Sequence, residues 1–382
     1  MILMPNPYDP QGPARPEYFG GRKPVLAKVS ERIAIARQHE KSGGILIYGH
    51  RGVGKTSLID KIISEISGTA EAPSDILIIN RRLARTTNDQ ELYHMLNEEL
   101  RQQIANRKNL LDRIRAAAQN INSIAAFELS VGFSEKNEEK TQYSQWRELV
   151  GALRNVGLIL IAIDDADFLA REAIGELKTI VEELSSTPIL LIISGFVGFE
   201  EKLVDDYSPV ARIFSGADFN IGKFSLDEVR EVLLKPLANE KTSWTDGAIA
   251  AVQRYTNGYP YLVQCVASAS YIETGMIDEK RVKDNINNAV AIGKSWLEHE
   301  TPEASDQDVI SFARIASLDK DLVQSTEISR VGVSPPYIGR LVRLGILKKV
   351  RHGRYSLEKS PMIATFELLK RNLSLNGFVA NV

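Results

Sequence analysis

One cysteine, three tryptophans, five methionines and a formal net charge of only −2 in 382 residues mark what this chain is short of. A single cysteine, Cys265, rules out an intramolecular disulfide and fits a reducing cytosol. It lies in the apolar stretch Tyr261–Ala267, where a small buried hydrophobe is expected rather than a reactive thiol. A net charge near zero excludes a polyelectrolyte binder as a whole, so any nucleic-acid surface must be local. No apolar run approaches the ~18 residues of a transmembrane helix. The N-terminus lacks an apolar signal core. A cytoplasmic protein without a membrane partner is therefore expected. At this length a single small core is excluded, and roughly two or three domains are expected.

Glycine, by contrast, is concentrated where it counts. Gly49-His50-Arg51-Gly52-Val53-Gly54-Lys55-Thr56-Ser57 fits G-x-x-x-x-G-K-[ST], the phosphate-binding P-loop. Glycines let backbone N–H groups close on phosphate oxygens, and the following helix start adds its positive dipole end. Lys55 is placed to reach the β- and γ-phosphates, and the Thr56 hydroxyl to ligate Mg²⁺. Gly49, Arg51, Gly52, Val53, Gly54 and Ser57 complete the nucleotide-binding candidates of the loop. A strand pattern, Ile45–Tyr48, precedes it and a helical pattern, Leu58–Ile63, follows, which is the order the motif requires. ATP and Mg²⁺ are the expected cofactors.

A second signal is the continuous apolar run Gly157–Ile163 ending in Asp164-Asp165. It reads as a central parallel strand buried on both faces. Its two carboxylates stand at the C-terminal end, where such sheets bind ligands. This is a Walker B pattern: Asp164 is expected to hold Mg²⁺ and Asp165 to orient or deprotonate the attacking water. Pro188–Gly195 is another buried strand, with Ser194 near its end, and Asp75–Asn80 a further one. Residues 1–17, with Pro5, Pro10, Pro13 and Pro16, read as extended. Asp89–Ala118 reads as one long amphipathic helix or a pair, Ala125–Phe133 as strand-like and Glu135–Lys140 as a charged loop. The stretch 117–145 reads as an insertion.

The segment 301–382 changes character. Thr326–Val331 is a short helix pattern, and Ser334 with Pro335 starts another that runs through Arg340 and Arg343 to Gly345. Leu347–Val350 and Arg354–Leu357 flank a hairpin turn at His352-Gly353. Helix, turn, helix and hairpin is the winged-helix order. From Thr326 to Ser360 there are eight basic and two acidic residues, a local excess of six positive charges. Arg340, Arg343, Lys348, Arg351 and Arg354 are the DNA-binding candidates, suited to phosphate and groove contacts. Such modules also dock proteins, and that alternative stays open.

Tyr18-Phe19-Gly20-Gly21-Arg22 stands one helical segment, Val25–Gln38, ahead of the P-loop. Thr256-Asn257-Gly258-Tyr259-Pro260-Tyr261 follows a helical region that begins at Phe224. With the P-loop, the Asp164-Asp165 pair and the winged-helix order, these stretches resemble the archaeal-type branch of P-loop ATPases shared by AAA+ replication-initiator-like and STAND proteins. The resemblance implies an α/β fold: a parallel αβα P-loop core over 1–222, a helical lid over 223–300 and a winged-helix domain over 301–382. It makes Tyr18, Phe19, Gly21 and Arg22 adenine-side residues, and Pro260 the lid proline that packs on adenine. Ser194 becomes a polar sensor of the γ-phosphate, and Arg212, in Ser208–Phe214, an arginine finger directed at a neighbour. Each has a plainer alternative: an ordinary aromatic loop, a helix–helix turn, a strand terminator and a surface ion pair.

The lid turn lacks the sensor arginine of typical initiators, and Asp165 replaces the usual Glu. Both departures imply a slow, switch-like ATPase whose catalytic set is Lys55, Asp165, Ser194 and Arg212. The expected protein is a homo-oligomer with ATP at subunit interfaces. Its nucleotide state would control assembly and a winged helix on double-stranded DNA, in replication, transposition or defence. A second class remains, a STAND-like signalling switch that activates a separate effector protein and uses the winged helix for docking.

Overall fold

The computed structural model describes residues 6–68, 76–107, 141–153, 157–182, 187–320 and 322–374. The strand pattern at Ala125–Phe133, the loop Glu135–Lys140 and most of the 117–145 stretch lie outside the described residues. The chain forms two compact units. One comprises Arg22–Arg51 and Leu58–Ile221, the other Met1–Gly21, Gly52–Ser57 and Gly222–Val382.

The first unit is built on an all-parallel sheet of five strands: β1 (Gly43–Tyr48), β2 (Ile76–Arg82), β3 (Leu158–Asp164), β4 (Ile189–Gly195) and β5 (Asp218–Asn220). Their order is β2-β3-β4-β1-β5. Every residue of β3 and β4 is buried, as a central strand covered on both faces demands. Helices α1 (Lys23–His39), α2 (Lys55–Gly68), α3 (Asp89–Ala105), α4 (Gln142–Ala152), α5 (Arg171–Glu182) and α6 (Phe199–Asp206) complete the αβα layering. Ile159, Ile161 and Ile163 share a core with Leu96, Trp146 and Leu177 of α3–α5. The two-residue strand period turns Leu158, Leu160 and Ala162 to the opposite face. Truncating one of these isoleucines to alanine is expected to cost about 2–5 kcal/mol. Helix α3 starts with a reciprocal cap, Asn88 accepting from the Glu91 N–H and Glu91 from the Asn88 N–H.

Register then decides what meets what. Arg82 pairs with Asp164, Ile163 with Ile193, Ile47 with Ser194 and Tyr48 with Gly195. The polar ends of β2, β3 and β4 therefore line up beside the point where the P-loop leaves β1. The loop is tethered there by the Gly49 N–H, which donates to the Gly195 carbonyl at 3.2 Å.

In the second unit, helices α7 (Leu226–Leu234), α8 (Asp246–Thr256), α9 (Pro260–Ser270) and α10 (Lys294–Glu300) pack with shorter helices over 279–292. They are followed by α11 (Asp306–Ala316), α12 (Ser325–Arg330), α13 (Pro335–Arg343) and α14 (Pro361–Lys370). Strands β8 (Val323–Gln324), β9 (Leu347–Arg351) and β10 (Arg354–Leu357) form a small antiparallel sheet in the order β8-β10-β9. This is the winged-helix arrangement, its wing turning at Gly353 with φ of +68°. A short parallel pair, β6 (Thr242–Trp244) with β7 (Gly275–Ile277), completes the lid. One apolar core runs from Val229 and Val252 through Leu262 and Trp296 to Phe312, Leu341 and Phe366.

The proline-rich start is anchored rather than loose. Buried Tyr8 donates its hydroxyl hydrogen to the Leu233 carbonyl at 2.5 Å and accepts from the Trp244 ring N–H at 2.8 Å. Burial pushes its phenol well above the ordinary value. Cys265 is fully buried, and burial raises its thiol to about 12, an inert side chain as the apolar stretch led one to expect. No helix among the described residues is long and apolar enough to cross a membrane.

Candidate functional site

The P-loop glycines do what the motif asks of them. Gly52 and Gly54 adopt φ of +79° and +90°, conformations that side-chain-bearing residues avoid, so the loop can turn its N–H groups inward. Lys55 opens α2 and is itself buried, 7% exposed. The loop's second half belongs to the second unit. There the Gly52 carbonyl accepts from the Tyr261 N–H at 3.1 Å, and Ser57 Oγ accepts from the Ala14 N–H at 3.0 Å.

At the ends of β3 and β4 a compact polar group forms. Asp164 is buried, and its Oδ1 accepts a short hydrogen bond from the Ser194 hydroxyl. The same Ser194 Oγ accepts from the Asp165 N–H at 3.0 Å. Asp165 itself sits in the left-handed region, φ 57° and ψ 47°, where a non-glycine residue stays only if its surroundings hold it. Arg82, at the end of β2, pairs with both carboxylates: its Nε lies 3.0 Å from Asp165 Oδ2 and 3.7 Å from Asp164 Oδ2. Asp167 adds a strut, its Oδ2 accepting from the Phe196 N–H at 2.7 Å. On α2, the Asp60 carboxyl is raised above its ordinary value, first by burial and then by repulsion from Asp164, with Arg82 opposing.

Arg82 is the residue the sequence reading missed. The signal was present in Asn80-Arg81-Arg82, guanidinium groups at the C-terminal end of an apolar parallel strand, where ligands and carboxylates gather. Ser194 meets Asp164 directly. Asp164 fits a metal-holding role, being a buried carboxylate fixed by one oxygen. Residues Gly49 to Ser57 offer the glycine cradle and helix start that a triphosphate needs.

The other candidates are placed as follows. Phe19, Gly20 and Gly21 are buried against α7, where the Phe19 carbonyl accepts from Lys235 Nζ at 2.6 Å and the Gly21 N–H donates to Glu231 at 3.1 Å. Tyr18 is half-buried, with the Arg15 guanidinium 5.9 Å from its ring centre. Arg22, buried and left-handed at φ 58°, occupies the N-cap position of α1 without a side-chain cap bond. Pro260 is the first residue of α9 and is buried. Arg212 is exposed in a single turn, Arg212–Phe214. That turn packs beside the start of β1, since a methyl placed on Gly44 would strike the Phe214 ring at 2.6 Å.

In the winged helix, Arg343, Lys348 and Arg351 are exposed and Arg354 is half-buried. Arg340 is different. Its Nε lies 2.8 Å from Oδ2 of Asp308, a fully buried carboxylate on α11, so it is committed to an ion pair. A spacing of three puts Arg340 and Arg343 on one helix face, but it does not give the two arginines the same task.

Residues 18–193 match the family described as AAA ATPase domain. Among solved structures, the chain is similar to the Aeropyrum pernix ORC2 protein in ADPNP–ADP complexes, at 14% identity and a TM-score of 0.56. That likeness covers 94% of this chain and 97% of that one. It is similar also to CDC6P from Pyrobaculum aerophilum, at 14% identity and a TM-score of 0.51 over 96% and 98% of the two chains. At these identities the likeness speaks for the fold, and it extends through lid and winged helix. No curated protein matches the chain.

Proposed function

We propose, on the premise that residues 18–193 form an AAA ATPase domain, that this chain binds ATP with Mg²⁺ and hydrolyses it slowly. Its nucleotide state then governs subunit assembly and a winged helix carried on double-stranded DNA. The observation that carries the reading is the group Asp164–Ser194–Asp165–Arg82 at the strand ends next to the tethered P-loop. The ORC2 relative, solved with ADPNP and ADP, supports the choice of nucleotide.

The roles follow from charge and position. Lys55 and backbone N–H groups of the loop beyond the tethered Gly49 hold phosphate oxygens. Thr56 and Asp164 would hold Mg²⁺, which when bound offsets charge on the phosphates. Ser194 fixes the Asp164 carboxylate through its hydroxyl and the Asp165 backbone through its oxygen, so that carboxylate and that backbone are set before a ligand arrives. Asp165 is the base that orients and deprotonates water. Arg82 neutralises it in this conformation, so hydrolysis requires Asp165 to leave that ion pair. Phe19, Gly21, Arg22 and Pro260 serve the adenine side.

Arg212 acts, on this reading, on a neighbouring copy. It sits near the start of β1, whereas the P-loop leaves the strand's other end, about 16 Å away at ~3.3 Å per residue. It is badly placed for its own loop and suits a head-to-tail assembly. Arg343, Lys348, Arg351 and Arg354 make the duplex contacts. The proposed division of labour keeps 1–222 as ATPase core, 223–300 as lid and 301–382 as winged helix. The proposed location is the cytoplasm.

Asp165→Ala is the direct test. ATP binding is expected to persist while turnover falls about 10²–10⁴-fold, the range for a lost general base. Wild-type turnover in that variant would remove Asp165 from the mechanism.

A further inference from the structure

The turn Asn257-Gly258-Tyr259-Pro260 is held on two sides, and both sides matter to function. On one side stands the P-loop. The Tyr261 N–H donates to the Gly52 carbonyl at 3.1 Å. A methyl placed on Gly52 would lie 2.9 Å from Nε1 of Trp296 and 3.0 Å from Cβ of Tyr261, so those side chains sit directly on the loop. Trp296 in turn packs on the Tyr261 and Tyr259 rings, with centroids 5.9 and 5.3 Å apart.

On the other side stands the end of the wing. The Asn257 amide donates to the carbonyls of Leu357 and Glu358, at 2.9 and 3.2 Å. Lys223 Nζ donates to the same Glu358 carbonyl at 2.7 Å while lying 5.1 Å from the Tyr259 ring centre. Ser360 Oγ–H donates to the Tyr255 carbonyl at 2.7 Å, and Lys359 pairs with Glu300 of α10 at 3.0 Å.

The turn has little freedom of its own. Gly258 has φ of +69°, and a methyl there would collide with the Phe224 carbonyl oxygen. Its own carbonyl accepts from the Phe224 N–H at 2.7 Å, and the Tyr259 N–H donates to the Thr256 carbonyl at 3.1 Å. Asn257 is left-handed, φ 50°. A segment so constrained moves as a body, and tightly packed elements shift between discrete arrangements rather than bending gradually.

We propose that this turn is a two-sided clasp in which Tyr261 and Trp296 hold the P-loop while Asn257 and Lys223 hold the end of β10 and Glu358 just after it, coupling nucleotide binding to the placement of the wing. The inference rests on the ATP-binding reading above and adds the device that carries its signal. A P-loop that re-aims its peptide groups around phosphates must alter or keep the Gly52 carbonyl bond, and the clasp passes that choice to β10. Coupling of this kind is reciprocal, so the wing biases the loop as much as the loop biases the wing.

Hydrogen exchange on the full chain, with and without ADPNP and Mg²⁺, tests it without any need for DNA. In wild type, ADPNP is expected to slow exchange over Gly49–Ser57. It is also expected to change exchange over Leu347–Leu357 by at least about fivefold, the lower end of common coupling strengths. The variant Asn257→Gly with Lys223→Met removes the wing-side donors. It keeps a residue that tolerates the left-handed backbone and an apolar stem against Tyr259. In it the loop is expected to respond as before and the hairpin response to vanish. A hairpin response that persists in the variant overturns the clasp, as does a wild-type loop that responds while the hairpin stays unchanged. A wild-type loop with no response overturns the ATP reading itself, and the clasp with it. Asn257→Gly alone, which leaves Lys223 in place, is expected to give an intermediate response.

Discussion

Two charged regions of this molecule are handled in opposite ways. At the strand ends, Asp164, Asp165, Ser194 and Arg82 are drawn together, and each fixes another. On the winged helix, Arg343, Lys348 and Arg351 stand in solvent and make no ion pair among the described residues. The first arrangement spends conformational freedom in advance, so that a ligand meets an ordered set of donors and acceptors. The second keeps its charge available, as a surface that bound a duplex through counterion release would need to. Pre-ordered groups are sensitive to single atoms, whereas solvated ones are sensitive to ionic strength. Arg340 is the exception that sharpens the contrast, a winged-helix arginine treated like a site residue.

The widest gap between the regions is expected from Lys55→Ala. Losing the one lysine of a phosphate cradle is expected to weaken ATP binding by at least about 100-fold, near 3 kcal/mol for hydrogen bonds to a charged group. Calorimetric titration reads this directly, and a change below threefold would break the contrast. Next comes Arg343→Ala with Arg351→Ala. At about 0.9 per phosphate contact, the slope of log affinity against log salt is expected to flatten by about 1.8. Between about 50 and 200 mM salt that is about a tenfold smaller loss of duplex affinity. An unchanged slope would move the winged helix to a protein-docking role and favour the signalling-switch class.

Smaller again is Arg340→Ala, which deprives buried Asp308 of its cationic partner and leaves it the Ser305 N–H and hydroxyl. Because Arg340 is half exposed, the expected cost is discounted to about 1 kcal/mol, read as a melting temperature lower by about 2–4 °C. The salt slope of duplex binding is expected to stay put. A flattened slope would return Arg340 to the DNA surface. The smallest effect belongs to Arg82→Ala. An exposed ion pair is worth about 0.2–1 kcal/mol, so freeing Asp165 is expected to raise basal ATP turnover about two- to fivefold. A fall in turnover would make Arg82 a contributor to catalysis instead of a restraint.

The P-loop with its flanking strand and helix, and the buried strand that ends in Asp164-Asp165, were legible from the chain alone. Strand, glycine loop and helix are contiguous, and the Asp164-Asp165 pair closes an apolar run whose burial on both faces follows from its composition. The wing showed itself through a hairpin turn at Gly353 between two short basic strands. Local patterns suffice there because periodicity and turn chemistry act over a few residues.

Partnership was beyond that reach. Whether Arg82 faces Asp165 depends on β2 lying beside β3 in register, and whether Ser194 reaches Asp164 depends on β4 lying on the other side. Sheet order is set by how crossover helices pack over the whole core, a property no short window holds. The same is true of Arg340, which helical spacing assigned to a shared face and packing against α11 assigned to Asp308. It is true also of Tyr261, whose N–H finds Gly52 across 209 positions of chain. Residue types and their local geometry came from the sequence; which of them act on one another was decided by tertiary packing, because contacts distant along the chain are specified only by the folded core as a whole.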